Sequence, residues 1–372
     1  TVLLEKKFFI TEEQAVTPAE ILMGAFTDAD KIYINGICCG SSYDRYAPRI
    51  YPVAPGILRA GENVVCIHLY VFRGRGGAMP GKQYGIRFKK GKERWLDLSG
   101  TWDAQIRKQM EYLPEKTFFN YMASAMFNGM ISPVSPYKIC AVIYYQGESD
   151  VGHPNRYALE FRALVNDWRK SWKEKQLPII YVQLAGFSDG NIKKQGTQWA
   201  EFREVQRQAM EIENTAMIQA YDVGEYNDLH PMDKKTLGMR AALAVHKLVY
   251  GEKEECTGPQ VRKIRLDRDK RVHAVFDQPL QTGSKKDGCE LVSEVELRKA
   301  NGDYKRAYVT VDGNEICAWL SDGEEPTGIR YAWKDCPMNI CLYGKKGLPV
   351  IPFIKEWGRD AIYTGKICET YR

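Results

Sequence analysis

Two short polar runs in this chain carry side chains of the kind that shuttle protons and hold developing charge. In Asn227-Asp228-Leu229-His230-Pro231 an acid stands two residues before a histidine. An imidazole there can take a nucleophile's proton while a carboxylate fixes its tautomer and stabilises the imidazolium. The structural alternative is that Asp228 caps the next helix, with Pro231 at its first position, and His230 is a surface residue. The other run is Tyr144-Tyr145-Gln146-Gly147-Glu148-Ser149-Asp150. Gln146 can donate its amide to an oxyanion, helped by nearby backbone N–H groups. Gly147 lets the backbone approach a ligand closely. Glu148 orients the loop or a substrate hydroxyl, or is a purely structural carboxylate. What is missing is the nucleophile, a serine in a Gly-rich strand-to-helix turn. The chain has no GxSxG elbow, and Gly40-Ser41-Ser42 falls in a β-rich region where a loop is the expectation.

The elements that must hold these runs can be read from hydrophobic period. Apolar residues 139–143 read as a fully buried parallel strand running to 145, with the Gln146 run at its carboxyl end. A helix is expected over 156–173, with Tyr157, Phe161, Leu164, Val165 and Trp168 on its apolar face. Strands follow at 178–185 and 216–221, and helices at 199–211 and 231–250. This alternation predicts an α/β region with a parallel sheet covered by helices, and ligands bind at the carboxyl ends of such strands. Both polar runs fall on that edge, so their side chains can converge. Three strands are few for such a sheet, and an edge is expected to be missing.

On either side the period changes. The first hundred residues alternate short β patterns with turns, including 31–34 before Asn35-Gly36 and 64–71 after Gly61-Glu62-Asn63, and predict a β-sandwich. His68 lies in an apolar strand and reads as structural. From about Gly258 short strands and turns return, with Asn301-Gly302-Asp303 and Asp312-Gly313-Asn314 as hairpin signals, and predict a smaller β-domain. The expected domains are 1–112, 113–255 and 256–372.

Composition narrows the function classes. The 372 residues are 44% hydrophobic and 27% charged, as in ordinary globular proteins. The net charge of +6 is dispersed apart from short clusters such as Lys89-Lys90-Gly91-Lys92, so no nucleic-acid partner is expected. No apolar stretch approaches a membrane span, and Thr1-Val2-Leu3-Leu4-Glu5 lacks the pattern of a secretory signal. These opening residues read as mid-domain sequence, which predicts a fragment of a longer chain. Ten cysteines (Cys38, Cys39, Cys66, Cys140, Cys256, Cys289, Cys317, Cys336, Cys341 and Cys368) show no zinc-ligand spacing and read mostly as small buried hydrophobes.

Several motifs in order resemble the sialate O-acetylesterase family of SGNH-type hydrolases. They are Asn128-Gly129-Met130-Ile131-Ser132-Pro133, the run from Tyr144 to Asp150, Trp168-Arg169, Leu177-Pro178, Val182-Gln183-Leu184-Ala185, Trp199 with Arg203-Glu204 and Gln206, and Asp228-Leu229-His230-Pro231 with Lys234. Asp30-Lys31-Ile32-Tyr33-Ile34-Asn35-Gly36, Pro48-Arg49-Ile50-Tyr51 and Leu98-Ser99-Gly100-Thr101-Trp102 resemble the β-sandwich that this family inserts in its hydrolase domain. Arg330-Tyr331-Ala332-Trp333, Leu342-Tyr343 and the segment from Gly347 to Phe353 resemble its terminal β-domain.

The resemblance implies an SGNH (flavodoxin-like) α/β/α hydrolase domain, incomplete in this chain, with a jelly-roll-like, sugar-binding-like insert and a C-terminal β-domain. It implies removal of acetyl esters from sugars, sialate first, without metal or cofactor. His230 is then the general base, and Gln146, with Gly147 and Glu148, belongs to the oxyanion and substrate site. Asp228 is the third member, although the family's usual acid position, three residues before the histidine, is Asn227 here, so a Ser-His dyad stays open. The family's serine lies in a Ser-Gly-Gln-Ser-Asn-like block, expected on an upstream polypeptide segment. The chain alone is then expected to be inactive. The expected partners are an O-acetylated sugar or glycan and that upstream segment, with no nucleic acid and no membrane, in a secreted or periplasmic protein. The alternatives are an acetylxylan esterase of the same family, or a non-catalytic carbohydrate-binding protein using aromatics such as Tyr43 or Trp319.

Overall fold

Asn35 and Gly36 adopt φ of 50° and 81°, the left-handed pair that a two-residue hairpin needs, and join strands Ala29–Ile34 and Ile37–Ser42. This hairpin belongs to the first of two compact units, Thr1–Phe118 and Phe119–Arg372, in a computed structural model that describes residues 1–91, 94–111, 117–188, 195–283 and 294–357. Lys92, Cys289 and Cys368 lie outside the described residues.

In the first unit a five-stranded antiparallel sheet runs Asp103–Ile106, Val2–Ile10, Gly61–Tyr70, Ala29–Ile34, Ile37–Ser42. A four-stranded sheet runs Trp95–Asp97, Tyr84–Phe88, Ala19–Met23, Ile50–Val53. One core serves both: Phe8, Ile32, Ile34, Val65 and Ile67 from the first meet Ile21, Met23, Ile86 and Phe88 from the second. Alternate residues on these strands point inward, as the period-two pattern requires. Asp30 and Arg49, from two of the family-like motifs, form a fully buried ion pair at 2.6 Å. Burial raises the Asp30 carboxyl above its usual range, and the Arg49 guanidinium opposes that rise. His68 is exposed and packs against the Tyr33 ring at 4.9 Å, a surface contact rather than a core position.

The second unit contains a three-stranded parallel sheet with β1 (Val142–Tyr144), β2 (Ile179–Gln183) and β3 (Thr215–Gln219) in that order. The helices between and after them are α1 (Pro154–Ser171), α2 (Gln198–Gln208) and α3 (Lys234–Tyr250). Side chains alternate between two apolar clusters. Ile179, Tyr181 and Met217 meet Tyr157, Phe161 and Val165 of α1 and Phe202 of α2. Ile180, Val182, Ala216 and Ile218 meet Leu237, Ala241 and Ala244 of α3.

The expected fully buried strand over 139–145 is corrected. Only 142–144 is strand, and Ile139 and Ile143 are 38% and 59% exposed. β1 pairs with β2 alone among the described residues, and the helix on the Ile143 side, α3, packs over β2 and β3. The hydrophobic run is that of a buried strand, but its neighbours leave it at an edge.

The rest of this unit is antiparallel. One four-stranded sheet runs Val261–Leu266, Val272–Phe276, Glu315–Trp319, Tyr308–Asp312, and another runs Tyr304–Arg306, Val295–Arg298, Gly328–Tyr331, Phe353–Glu356. They share one core, which also takes Tyr221 from the loop after β3. Gln219 donates to the Pro349 carbonyl at 3.2 Å and Tyr221 to that of Val350, so this β region is tied to the carboxyl end of β3. The cysteines are less buried than expected: Cys256, Cys336 and Cys341 are buried, whereas Cys38 and Cys140 are exposed.

Candidate active site

Gly147 follows β1 with φ of 145° and ψ of −10°, a conformation that only glycine adopts readily. A Cβ there would stand 2.8 Å from the Phe202 ring on α2. The chain thus turns against α2 and enters a 3₁₀ turn, Glu148–Asp150. The turn fixes Gln146 from both ends. Tyr144 donates its hydroxyl to Gln146 Oε1 at 2.9 Å, and Gln146 Nε2 donates to Asp150 Oδ2 at 2.8 Å. One amide hydrogen is thereby used, and the primary amide carries two. Burial, with Asp150 and Glu148 next in effect, pushes the Tyr144 phenol up to about 12, so it stays a donor.

On the neighbouring loop, Asp228 is buried and its Oδ1 accepts the His230 backbone N–H at 2.8 Å. This local turn is the ordinary habit of an aspartate. The His230 ring is 56% exposed, with Nδ1 3.8 Å from the same oxygen, beyond hydrogen-bond length. Asp228 does not cap α3, and Pro231 does not begin it. Asp233 is the cap, accepting the Thr236 N–H at 2.9 Å, and the helix starts at Lys234. The three extra residues leave His230 on a loop instead of a helix turn.

Tyr145 connects the two runs. Burial raises its phenol well above the usual range, and the Glu148 and Asp228 carboxylates push it further in the same direction. The Lys234 ammonium stands 5.4 Å from its ring centroid. Its hydroxyl is buried, with no hydrogen-bond partner among the described residues. Tyr145, Glu148, Asp228 and Lys234 therefore form one neighbourhood at the carboxyl side of the sheet.

Sequence reasoning named Arg203 and Gln206 only as motif residues and did not single out Arg240 or Asp222, and these are what brace this edge. Arg240 on α3 binds both Asp222 carboxylate oxygens at 2.7 Å and the Gln219 carbonyl at 2.6 Å. Burial works against the Arg240 charge, but Asp222 outweighs it and raises its pKa. The pair clamps α3 to the end of β3 and the start of the loop bearing Asp228. Gln206 on α2 accepts the Leu184 N–H at 2.9 Å and donates to the Val182 carbonyl at 3.2 Å, completing the end of β2. Arg203 is fully buried against the carbonyls of Lys334 and Asp335, and burial lowers its pKa to about 10. Polar residues on otherwise apolar helix faces were the available signal for Arg203, Gln206 and Arg240. Among the described residues no group of three or more His, Cys, Asp or Glu side chains could hold a metal ion. No helix among them is long and apolar enough to cross a membrane.

Residues 104–247 match the family model described as carbohydrate esterase, sialic acid-specific acetylesterase. Sialate O-acetylesterase of Pongo abelii is 28% identical over 260 residues, covering 62% of this chain and 48% of that protein. The Mus musculus sialate O-acetylesterase is 30% identical over 275 residues, covering 63% and 47%. The chain thus spans about half the length of the curated relatives it matches. A crystal structure of a carbohydrate acetylesterase from Xanthomonas citri superposes with a TM-score of 0.56 at 29% identity, covering 62% of this chain and 53% of that one. Both polar runs, at the carboxyl edge of the parallel sheet, thus fall in the part of the chain that is similar to sialic acid-specific carbohydrate acetylesterases.

Proposed function

We propose that this chain carries the histidine half of a carbohydrate O-acetylesterase centre, with sialate O-acetyl esters as the first substrate class. The nucleophilic serine then belongs to an upstream polypeptide segment. In this reading the domain is of SGNH (flavodoxin-like) α/β/α type, with 113–255 as the hydrolase part, 1–112 as a jelly-roll-like insert and 256–372 as a terminal β-domain. A secreted or periplasmic location follows from the glycan substrate.

The observation that carries the reading is the Asp228–His230 turn: a buried carboxylate beside an exposed imidazole, next to the Tyr144–Asp150 run through Tyr145. Serine attacks the acetyl carbonyl and His230 takes its proton. As the ester bond breaks, His230 gives the proton to the departing sugar oxygen, and water, activated by the same imidazole, then attacks the acyl-enzyme to release acetate and restore the serine. A small turn of the exposed ring closes the 3.8 Å separation from Asp228, as catalytic hydrogen bonds commonly tighten only with substrate bound. Gln146, held by Tyr144 and Asp150, presents its second amide hydrogen as a preorganised donor to the oxyanion.

The test is hydrolysis of p-nitrophenyl acetate and of O-acetylated sialic acid. The 372-residue chain alone is expected to show negligible turnover, and the polypeptide extended upstream to be active. His230→Ala in the extended protein is expected to lower kcat by about a thousandfold or more. Undiminished hydrolysis by that variant would refute the assigned base, and serine-dependent turnover by the chain alone would refute the split centre.

A further inference from the structure

The four-stranded sheet of the first unit has an outer face as well as a core face. On Ala19–Met23, Ala19, Ile21 and Met23 enter the core, which turns Glu20 outward. On Tyr84–Phe88 the core takes Ile86 and Phe88, which turns Gly85 and Arg87 outward. The register sets Trp95 opposite Arg87, and Arg87 opposite Glu20. Together with Phe88, Lys89 and Arg94, these residues line a shallow depression of about 450 Å³, within the size range of small-ligand sites.

Gly85 makes room for the indole. A Cβ at Gly85 would come within 2.5 Å of Trp95 Cζ2 and 2.8 Å of Cη2, so the ring lies over the glycine. Trp95 is nonetheless 40% exposed. A flat aromatic surface seated on backbone and open to water is unusual for core packing and suits the stacking of a flat ligand.

The charges around it are mainly positive. Arg87 binds Glu20 through Nε at 3.2 Å and Nη2 at 2.8 Å. That bond, and more weakly the Lys89 ammonium, hold the Glu20 carboxyl below its usual range. Glu20 is the one acid among the described residues lining the depression, and Arg87 already occupies it. Lys89 and Arg94 make no ion pair among the described residues. Two exposed cations beside an aromatic surface call for an anion attached to a stackable ring.

We propose that this face binds a hexuronate unit of an acidic glycan, the pyranose stacking on Trp95 and its carboxylate meeting Lys89 and Arg94. A stacked uronate carries its equatorial carboxylate at the rim of the ring, within reach of cations lining the same depression. Arginine offers that carboxylate a planar fork and lysine a point charge. The site is in the first unit, and the proposal does not rest on the esterase reading of the second.

Isothermal titration of the full chain with trigalacturonate, neutral galactotriose, a sialic acid trimer and a single-stranded oligonucleotide tests it. Saturable binding of trigalacturonate is expected, at least about tenfold tighter than galactotriose and weakened by salt. Trp95→Ala and Lys89→Gln should each weaken it about tenfold, Trp95→Phe less, and His230→Ala not at all. Thermal melts of each variant report folding, and if Trp95→Ala fails to fold, Trp95→Phe and Lys89→Gln still decide the matter. Equal binding of the neutral sugar, tighter binding of the sialic acid trimer or of a single-stranded oligonucleotide, or unchanged binding in Lys89→Gln would overturn the proposal. Loss of binding in His230→Ala would do the same, by moving the sugar to the other unit. Loss of hydrolysis in His230→Ala of the upstream-extended polypeptide, with trigalacturonate binding unchanged, would refute neither this site nor its independence of the other unit.

Discussion

Gly147 is the residue on which the Gln146 turn depends. Its φ of 145° strains any side chain, and the Phe202 ring occupies the space a Cβ would take. Gly147→Ala is therefore expected to cost about 1–3 kcal/mol in denaturant unfolding. Combining it with Phe202→Leu should recover part of that loss, because only part is the clash with the ring. Full additivity of the two changes would show that they do not meet. The sequence put a glycine among polar residues and so pointed to close approach, but to a ligand; the structure shows that it approaches an aromatic ring on α2. Gln146, Glu148, Asp228 and His230 were legible as residue types at strand ends. Tyr145 was not, because its importance comes from carboxylates on two separate loops.

At the level of elements, the beginning of α3 decides where the histidine stands. Pro231 is a good first helical residue, yet Asp233 caps the helix through both the Thr236 N–H and its hydroxyl. Asp233→Ala should lower stability by about 1 kcal/mol in thermal or denaturant melts, whereas Asp228→Asn, which keeps an acceptor for the His230 N–H, should change it by less. A larger loss at Asp228 would mean that this turn, not the cap, holds the loop. Helix and strand order was readable because the apolar period changes from two to 3.6 along the chain. Strand ends were less readable. The apolar run at 139–143 has the composition of a central strand, and only its neighbours make it an edge.

Across the whole molecule, buried phenols set an alkaline limit. Burial is the largest cause raising Tyr84 in the first unit and Tyr144 and Tyr343 in the second, each to about 12 against an ordinary 10. A phenol raised in the folded state contributes stability that is complete below pH 10 and is lost as pH rises toward 12, because the unfolded chain ionises first. Both units should therefore lose stability across that interval. The phenolate absorbance of Tyr84, Tyr144 and Tyr343, read as the difference between the chain and each Tyr→Phe variant, is expected to appear in step with the loss of circular dichroism, and earlier titration of these tyrosines in the folded chain would contradict their burial.

The sequence by itself determined the β, then α/β, then β order of the chain, the placing of both polar runs after parallel strands, and the family resemblance. Those features rest on local period, turn chemistry and residue type, all of which act over a few neighbouring positions. The tertiary structure alone decided that β1 lies at an edge, that Arg240 and Asp222 clamp α3 to β3, that Tyr145 joins the two runs, and that Gly85 seats Trp95 on an open sheet face. Each of these depends on groups brought together from separate elements, and long-range pairing of that kind is fixed by packing that no local pattern records.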